Sequence, residues 1–159
     1  MNTVVVVGNP RLGSRTRPAA ELVVERLTDA GPTTVIELSE LGPGLLAWGD
    51  PAVAAAKDQV LSADLLVIAS PVFKASFPGL LKLFLDQFEA GELAGKPTVA
   101  VMLGGSAAHT LAGEVHLKPV LNEIGASCPT SALYLIDAEW DTSPTLDAWL
   151  PQARQSLRL

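Results

Sequence analysis

The stretch Val4-Val5-Val6-Val7-Gly8-Asn9-Pro10-Arg11-Leu12-Gly13-Ser14-Arg15-Thr16 decides the fold. Four consecutive β-branched residues with no polar residue among them read as a strand buried on both faces. A loop of Gly, Asn and Pro stops that strand. Beyond it Val23, Val24, Leu27 and Ala30 share one helical face, so the segment reads as strand, loop and amphipathic helix.

The same alternation continues along the chain. Further apolar runs lie at Thr34–Leu38, Leu65–Ala69, Thr98–Leu103 and Ala132–Ile136, giving five strand candidates with the first. Leu81, Phe84, Leu85 and Phe88 line one face of a helix between the third and fourth strands. Proline follows Asp50 and Phe77 near expected helix starts, and Gly31 and Gly91 follow expected ends. A helix over Thr110 to Ile124 precedes the fifth strand. The last helix spans about Thr145–Leu157; its Leu146, Trp149, Leu150, Ala153 and Leu157 recur at three- and four-residue steps, which makes Trp149 a packing residue. Strands alternating with helices imply a doubly wound, five-stranded parallel sheet in a three-layer α/β/α arrangement, one domain over residues 1–159. In such sheets ligands bind outside the carboxyl ends of the strands.

Composition agrees. The chain has 159 residues, 48% of them hydrophobic, and its mean hydropathy of +0.33 suits a sheet covered on both faces. Eleven Lys and Arg against 17 Asp and Glu leave a net charge of −6, which argues against broad nucleic-acid binding and makes any phosphate site local. The single cysteine, Cys128, fits a reducing cytoplasm and reads as core. The four valines after Met1-Asn2-Thr3 are too few, and lack the basic flank, for a signal peptide. His109 and His116 stand seven apart with no further Cys or His nearby, so no metal site is expected.

Three strand-to-helix loops carry the chemistry. In the first, backbone N–H groups at a helix N-terminus favour an anion, and Arg11, Ser14, Arg15 and Thr16 add side-chain donors. Gly8 and Gly13 have the outer spacing of a dinucleotide fingerprint, but Pro10 supplies no N–H at its centre. Ser14-Arg15 stands where a P-loop needs its Lys-Ser/Thr. Glu37, at the end of the second strand, is where a ribose-binding acid would lie; otherwise it reads as a solvated carboxylate.

The second loop, Ser70-Pro71-Val72-Phe73-Lys74-Ala75-Ser76-Phe77-Pro78-Gly79, is apolar for an exposed connection and stiffened by proline. Phe73 and Phe77 suit either the core or the wall of a flat aromatic ligand. The third, Gly104-Gly105-Ser106-Ala107-Ala108-His109, starts without bulky side chains, so its backbone can approach a ligand closely.

At these loops, over about residues 1–125, the sequence resembles the NADPH-dependent FMN reductase family, and within it the alkanesulfonate-type flavin reductases. The resemblance rests on Ser70 to Phe77 with Gly79, Leu81-Lys82 and Asp86, on Gly104-Gly105, and on Leu117-Lys118-Pro119-Val120-Leu121. It implies a flavodoxin-like fold, FMN and NADPH or NADH as cofactors, and hydride transfer from nicotinamide to flavin. It would place Asn9, Arg11, Ser14, Arg15 and Thr16 around the FMN phosphate. Pro71, Val72, Phe73, Lys74, Ala75 and Ser76 would follow the edge of the flavin ring, with Gly104, Gly105 and Ser106 on its other side.

The resemblance also implies delivery of reduced flavin to a partner monooxygenase, and a homodimer or homotetramer with the Phe84 and Phe88 face toward a partner. Asn9 stands where many members have serine, Phe73 where many have tyrosine, and Val115-His116 where sulfonate-type relatives carry an extra aromatic. An FMN-bound quinone or azo-compound reductase, a flavodoxin-like electron carrier and a flavin-binding interaction module are the alternative readings.

Overall fold

In the computed structural model, which describes residues 1–159, five strands form one parallel sheet in the order β2-β1-β3-β4-β5. The strands are β1 (Thr3–Val7), β2 (Thr34–Glu37), β3 (Leu65–Pro71), β4 (Thr98–Gly104) and β5 (Leu133–Ile136). The helices are α1 (Thr16–Thr28), α2 (Leu38–Leu41), α3 (Pro51–Ser62), α4 (Gly79–Leu85), α5 (Lys118–Glu123) and α6 (Pro144–Leu157). This is the flavodoxin-like, three-layer α/β arrangement expected from the sequence.

The continuous apolar runs follow from burial on both faces. Alternate side chains point to opposite sides of a strand. Val4 and Val6, with Leu66, Ile68, Ala100 and Met102, pack into a core under α3, α4 and α5. Val5 and Val7, with Val67, Ala69, Val99, Val101 and Leu103, pack into a second core under α1 and α6. Trp149 belongs to that second core, and its indole N–H donates to the Ser131 carbonyl at 2.9 Å. Trp140, without a role in the sequence reading, packs half-buried against the same core. No helix is long and apolar enough to cross a membrane.

Several boundaries differ from the sequence reading, each for a local reason. Leu38 opens α2 instead of ending β2. Ala132 stays outside β5 because its N–H donates to Glu114 Oε1 at 2.5 Å. Ala30 is exposed beyond α1, which ends where Asp29 turns left-handed at φ 58°. The expected helix from 110 to 124 is broken into a π-helical turn at Gly113–Leu117 followed by the short α5, which starts with Pro119 in its first turn. Asp50 does cap α3, accepting from the N–H groups of Ala52 and Val53 at 2.9 and 3.1 Å.

The Phe84 and Phe88 face does not await a partner. Phe84 is fully buried and Phe88 nearly so, their rings meeting edge to face with centroids 5.4 Å apart inside the core of one chain. Helical periodicity marked that face as apolar; the sheet beneath it is what covers it.

Candidate functional site

The loop after β1 is braced from within. Asn9 is buried, and its Oδ1 accepts from the Arg11 N–H at 2.9 Å while its Nδ2 donates to Thr16 Oγ1 at 2.9 Å. A serine at this position would have too short a side chain to span both contacts in the same way. Gly13 supplies the left-handed turn, φ 66°, that sends the chain into α1. Thr16 is buried beneath the loop, below the cavity the loop encloses and not in its lining.

That cavity, of about 500 Å³, lies at the carboxyl edge of the sheet. It is lined by Asn9, Arg11, Gly13, Ser14, Arg15, Phe73 and Asp137. Ser14 Oγ is buried there with no hydrogen-bond partner, an orphan that calls for an acceptor from outside the chain. Arg11 takes part in none of the ion pairs of the chain. Arg15 Nη1 stands 2.5 Å from Asp137 Oδ2. Two guanidinium groups, an unpartnered hydroxyl and the N-terminus of a thirteen-residue helix suit a phosphate monoester.

Asp137 was absent from the sequence-derived site. It follows β5 directly, and its N–H donates to the Gly104 carbonyl at 2.9 Å. The rule that led to the first three loops, ligand groups just beyond the carboxyl ends of strands, points equally to the end of β5.

The second loop is a tight hairpin. Phe73 and Ser76 exchange two backbone hydrogen bonds, N–H to O at 2.7 and 3.0 Å, across Lys74 and Ala75. Both central residues have positive φ, 50° and 65°, the geometry of a type I′ turn without its usual Asn or Gly. Lys74 is an exposed surface lysine whose backbone holds a conformation that costs of order 1 kcal/mol per non-glycine residue. The hairpin presents Phe73, 48% exposed, to the cavity, whereas Phe77 packs against the core. Pro71 ends β3, and the Val72 N–H is tied to the Leu103 carbonyl at 2.7 Å. The two phenylalanines thus divide between wall and core.

In the third loop, the glycine at 104 answers to packing. A Cβ on Gly104 would run into the Tyr134 side chain, while at Gly105 the space is open. Packing against Tyr134 is thus by itself a reason for glycine at 104, whereas at 105 nothing in the chain crowds the backbone. Ser106 caps the following turn, its Oγ accepting from the Ala108 N–H at 3.4 Å, and its carbonyl accepts from Tyr134 Oη at 2.6 Å. A second cavity, of about 340 Å³, opens between Ala75 of the hairpin and residues 108–116, with Leu111 and Val115 as its apolar wall.

One further sequence reading changes. Glu37 is not solvated: its residue is 3% exposed, and it faces α1, where Arg17 Nη1 lies 3.5 Å away. An acid turned toward α1 in this way is not presented to a ribose. Cys128 is half-buried against the first core, and burial pushes its thiol up despite the neighbouring Lys118. The thiol is accordingly neutral at neutral pH.

The fold and the cavity define a flavodoxin-like α/β protein with a cavity rich in hydrogen-bond donors at the junction of β1 and α1. The profile of the NADPH-dependent FMN reductase family matches residues 1–141. The chain is 33% identical over 130 residues to an FMN reductase (NADPH) of Escherichia coli K12, covering 79% of this chain and 68% of the relative. It is also 33% identical over 129 residues to the NADH-dependent FMN reductase SfnF of Pseudomonas putida, covering 76% and 69%. An apo NADH:FMN oxidoreductase structure superposes with a TM-score of 0.85 at 29% identity, over 98% of this chain and 87% of the other. The chain belongs to the NADPH-dependent FMN reductase family: it is an NAD(P)H:FMN oxidoreductase, with FMN and a nicotinamide nucleotide as its cofactors.

Proposed function

We propose that this oxidoreductase handles FMN as a travelling substrate and supplies it, reduced, to a partner monooxygenase. The observation that carries the reading is the exposure of the groups offered to the ligand. The Arg15 side chain is 61% exposed, Arg11 stands at the surface, and Phe73 is half in solvent. Charges in such positions are screened by water and hold a ligand modestly. Micromolar binding, about −8 kcal/mol, fits this cradle better than the far tighter grip of a permanent electron carrier.

In this reading Arg11, Arg15 and the hydroxyl of Ser14 hold the phosphate, and Asn9 with Thr16 keeps the loop in shape for it. Pro71, Val72, Phe73, Lys74, Ala75 and Ser76 form one edge of the ring site, and Gly104, Gly105 and Ser106 the other. When bound, FMN supplies two-electron chemistry with the nicotinamide, and the protein supplies position and charge. No side chain needs to act as a general acid in that transfer. The phosphate contacts would anchor the flavin at the carboxyl edge of the sheet, and the preformed Phe73–Ser76 hairpin would offer one wall of the ring site. The proposal includes self-association as a homodimer or homotetramer. Leu111, 68% exposed, and Val115, 56% exposed, are its apolar contacts in place of Phe84 and Phe88.

The test follows NADPH oxidation while free FMN is varied, with cytochrome c as a trap for reduced flavin. A saturable dependence on free FMN is expected. A protein purified fully yellow, whose rate ignores added FMN, would instead be a bound-flavin quinone or azo-compound reductase.

A further inference from the structure

The anion cradle contains a carboxylate. Asp137 lines the same cavity as Arg11, Ser14 and Arg15, and its Oδ2 holds Arg15 Nη1 at 2.5 Å. Its backbone is fixed by the N–H bond to the Gly104 carbonyl, so the acid is stationed at the rim by β4 and β5 together. A phosphate monoester is close to a dianion at neutral pH, its second pKa lying near 6. A carboxylate beside it repels it and occupies the guanidinium it needs.

We propose that Asp137 is a built-in counter-ion for Arg15, which surrenders the guanidinium to the flavin phosphate on binding and reclaims it on release. The inference rests on the reading of this cavity as the FMN phosphate site. In the chain itself Arg11 makes no ion pair and Arg15 is paired with Asp137. With the phosphate present, both guanidinium groups face it and the carboxylate turns to solvent, where its side chain is already 41% exposed. An exposed pair of this kind adds little to folding, so its exchange for a phosphate disturbs nothing else. The effect is to weaken the held state and shorten the stay of the flavin, as delivery of a reduced substrate requires. The competing role, in which Asp137 orients Arg15 toward the phosphate, predicts the opposite sign on removal of its charge.

The experiment uses the full-length chain and Asp137→Asn, titrated at low salt with FMN, riboflavin and inorganic phosphate by flavin fluorescence and by competition. The expected result is FMN binding tightened by about tenfold with slower dissociation, inorganic phosphate a stronger competitor, and riboflavin unchanged. Weaker or unchanged FMN binding overturns the counter-ion role, and an equal change for riboflavin shows a general disturbance of the loop. Arg15→Gln supplies the second arm: in that background Asp137→Asn should lose its effect, and a full effect there would mean that the acid repels phosphate without acting through Arg15. The outcomes separate from those of the delivery reading. A rate independent of free FMN sinks delivery while the affinity shift still stands, and exchangeable FMN with an inert Asp137→Asn sinks the counter-ion alone.

Discussion

Tyr134 fills the space that any side chain at position 104 would need, and its hydroxyl clamps the next turn through the Ser106 carbonyl at 2.6 Å. The glycine and the tyrosine are thus one packing unit joining β4 to β5. Gly104→Ala should destabilise the chain by about 1–3 kcal/mol, because the added methyl would displace the buried Tyr134 ring and its hydrogen bond to the Ser106 carbonyl. Tyr134→Phe should cost about 0.5–1.5 kcal/mol, the scale of one hydrogen bond. Denaturant titration measures both. Burial raises the Tyr134 hydroxyl above its ordinary value of 10, so the phenol remains protonated in the fold. Its share of stability is complete below pH 10 and is lost as pH climbs through the raised value.

Arg11 stands in the cradle without an ion partner, so its charge is available to a phosphate. Arg11→Ala should weaken FMN by about 1.5–3 kcal/mol and leave riboflavin, which has no phosphate, unaffected. Calorimetric titration of the two flavins checks this. Equal losses would assign Arg11 to the shape of the loop.

Ser14→Ala should separate stability from binding. The hydroxyl is buried with no partner, so its removal relieves an unsatisfied group and should leave the melting temperature equal or slightly higher. The same change should weaken FMN by about 1.5–3 kcal/mol, the scale of one hydrogen bond to a charged acceptor. A drop in melting temperature would show that the hydroxyl holds the loop together.

The π-helical turn is pinned by an acid. Burial pushes the Glu114 carboxyl up, but the Ala132 N–H and Lys118, whose Nζ lies 3.0 Å away, outweigh it and hold it below its ordinary 4.5. A lowered carboxyl contributes stability above its unfolded pKa and loses it as pH falls through the folded value. Thermal melts should therefore show Glu114→Gln less stable than the parent at pH 7, with the gap narrowing below about pH 4.5. A constant gap down to pH 3 would reject the assignment.

Leu111 and Val115 leave apolar side chains in solvent beside the second cavity. Sedimentation at micromolar concentration should give a mass at least twice 16.6 kDa, and Leu111→Asp with Val115→Glu should shift it toward the monomer. A parent chain that sediments as a monomer would dismiss the self-association.

The sequence by itself determined the sheet and the first loop, because both are written locally. A run such as Val4 to Val7 is continuous only where both faces of a strand are buried, and a Gly-rich loop opening a helix sets out N–H groups whatever lies elsewhere. What lies across from that loop was left to the tertiary structure. Asp137 reaches Arg15 over 122 positions because β5 closes the sheet two strands beyond β3, and no local pattern records that approach. Phe84 and Phe88 give the same lesson from the other side of the sheet: periodicity identifies an apolar face, but its covering surface depends on strand order and packing. Gly104 is a glycine on account of Tyr134, thirty positions away, whose place above it is set by the register of β4 with β5.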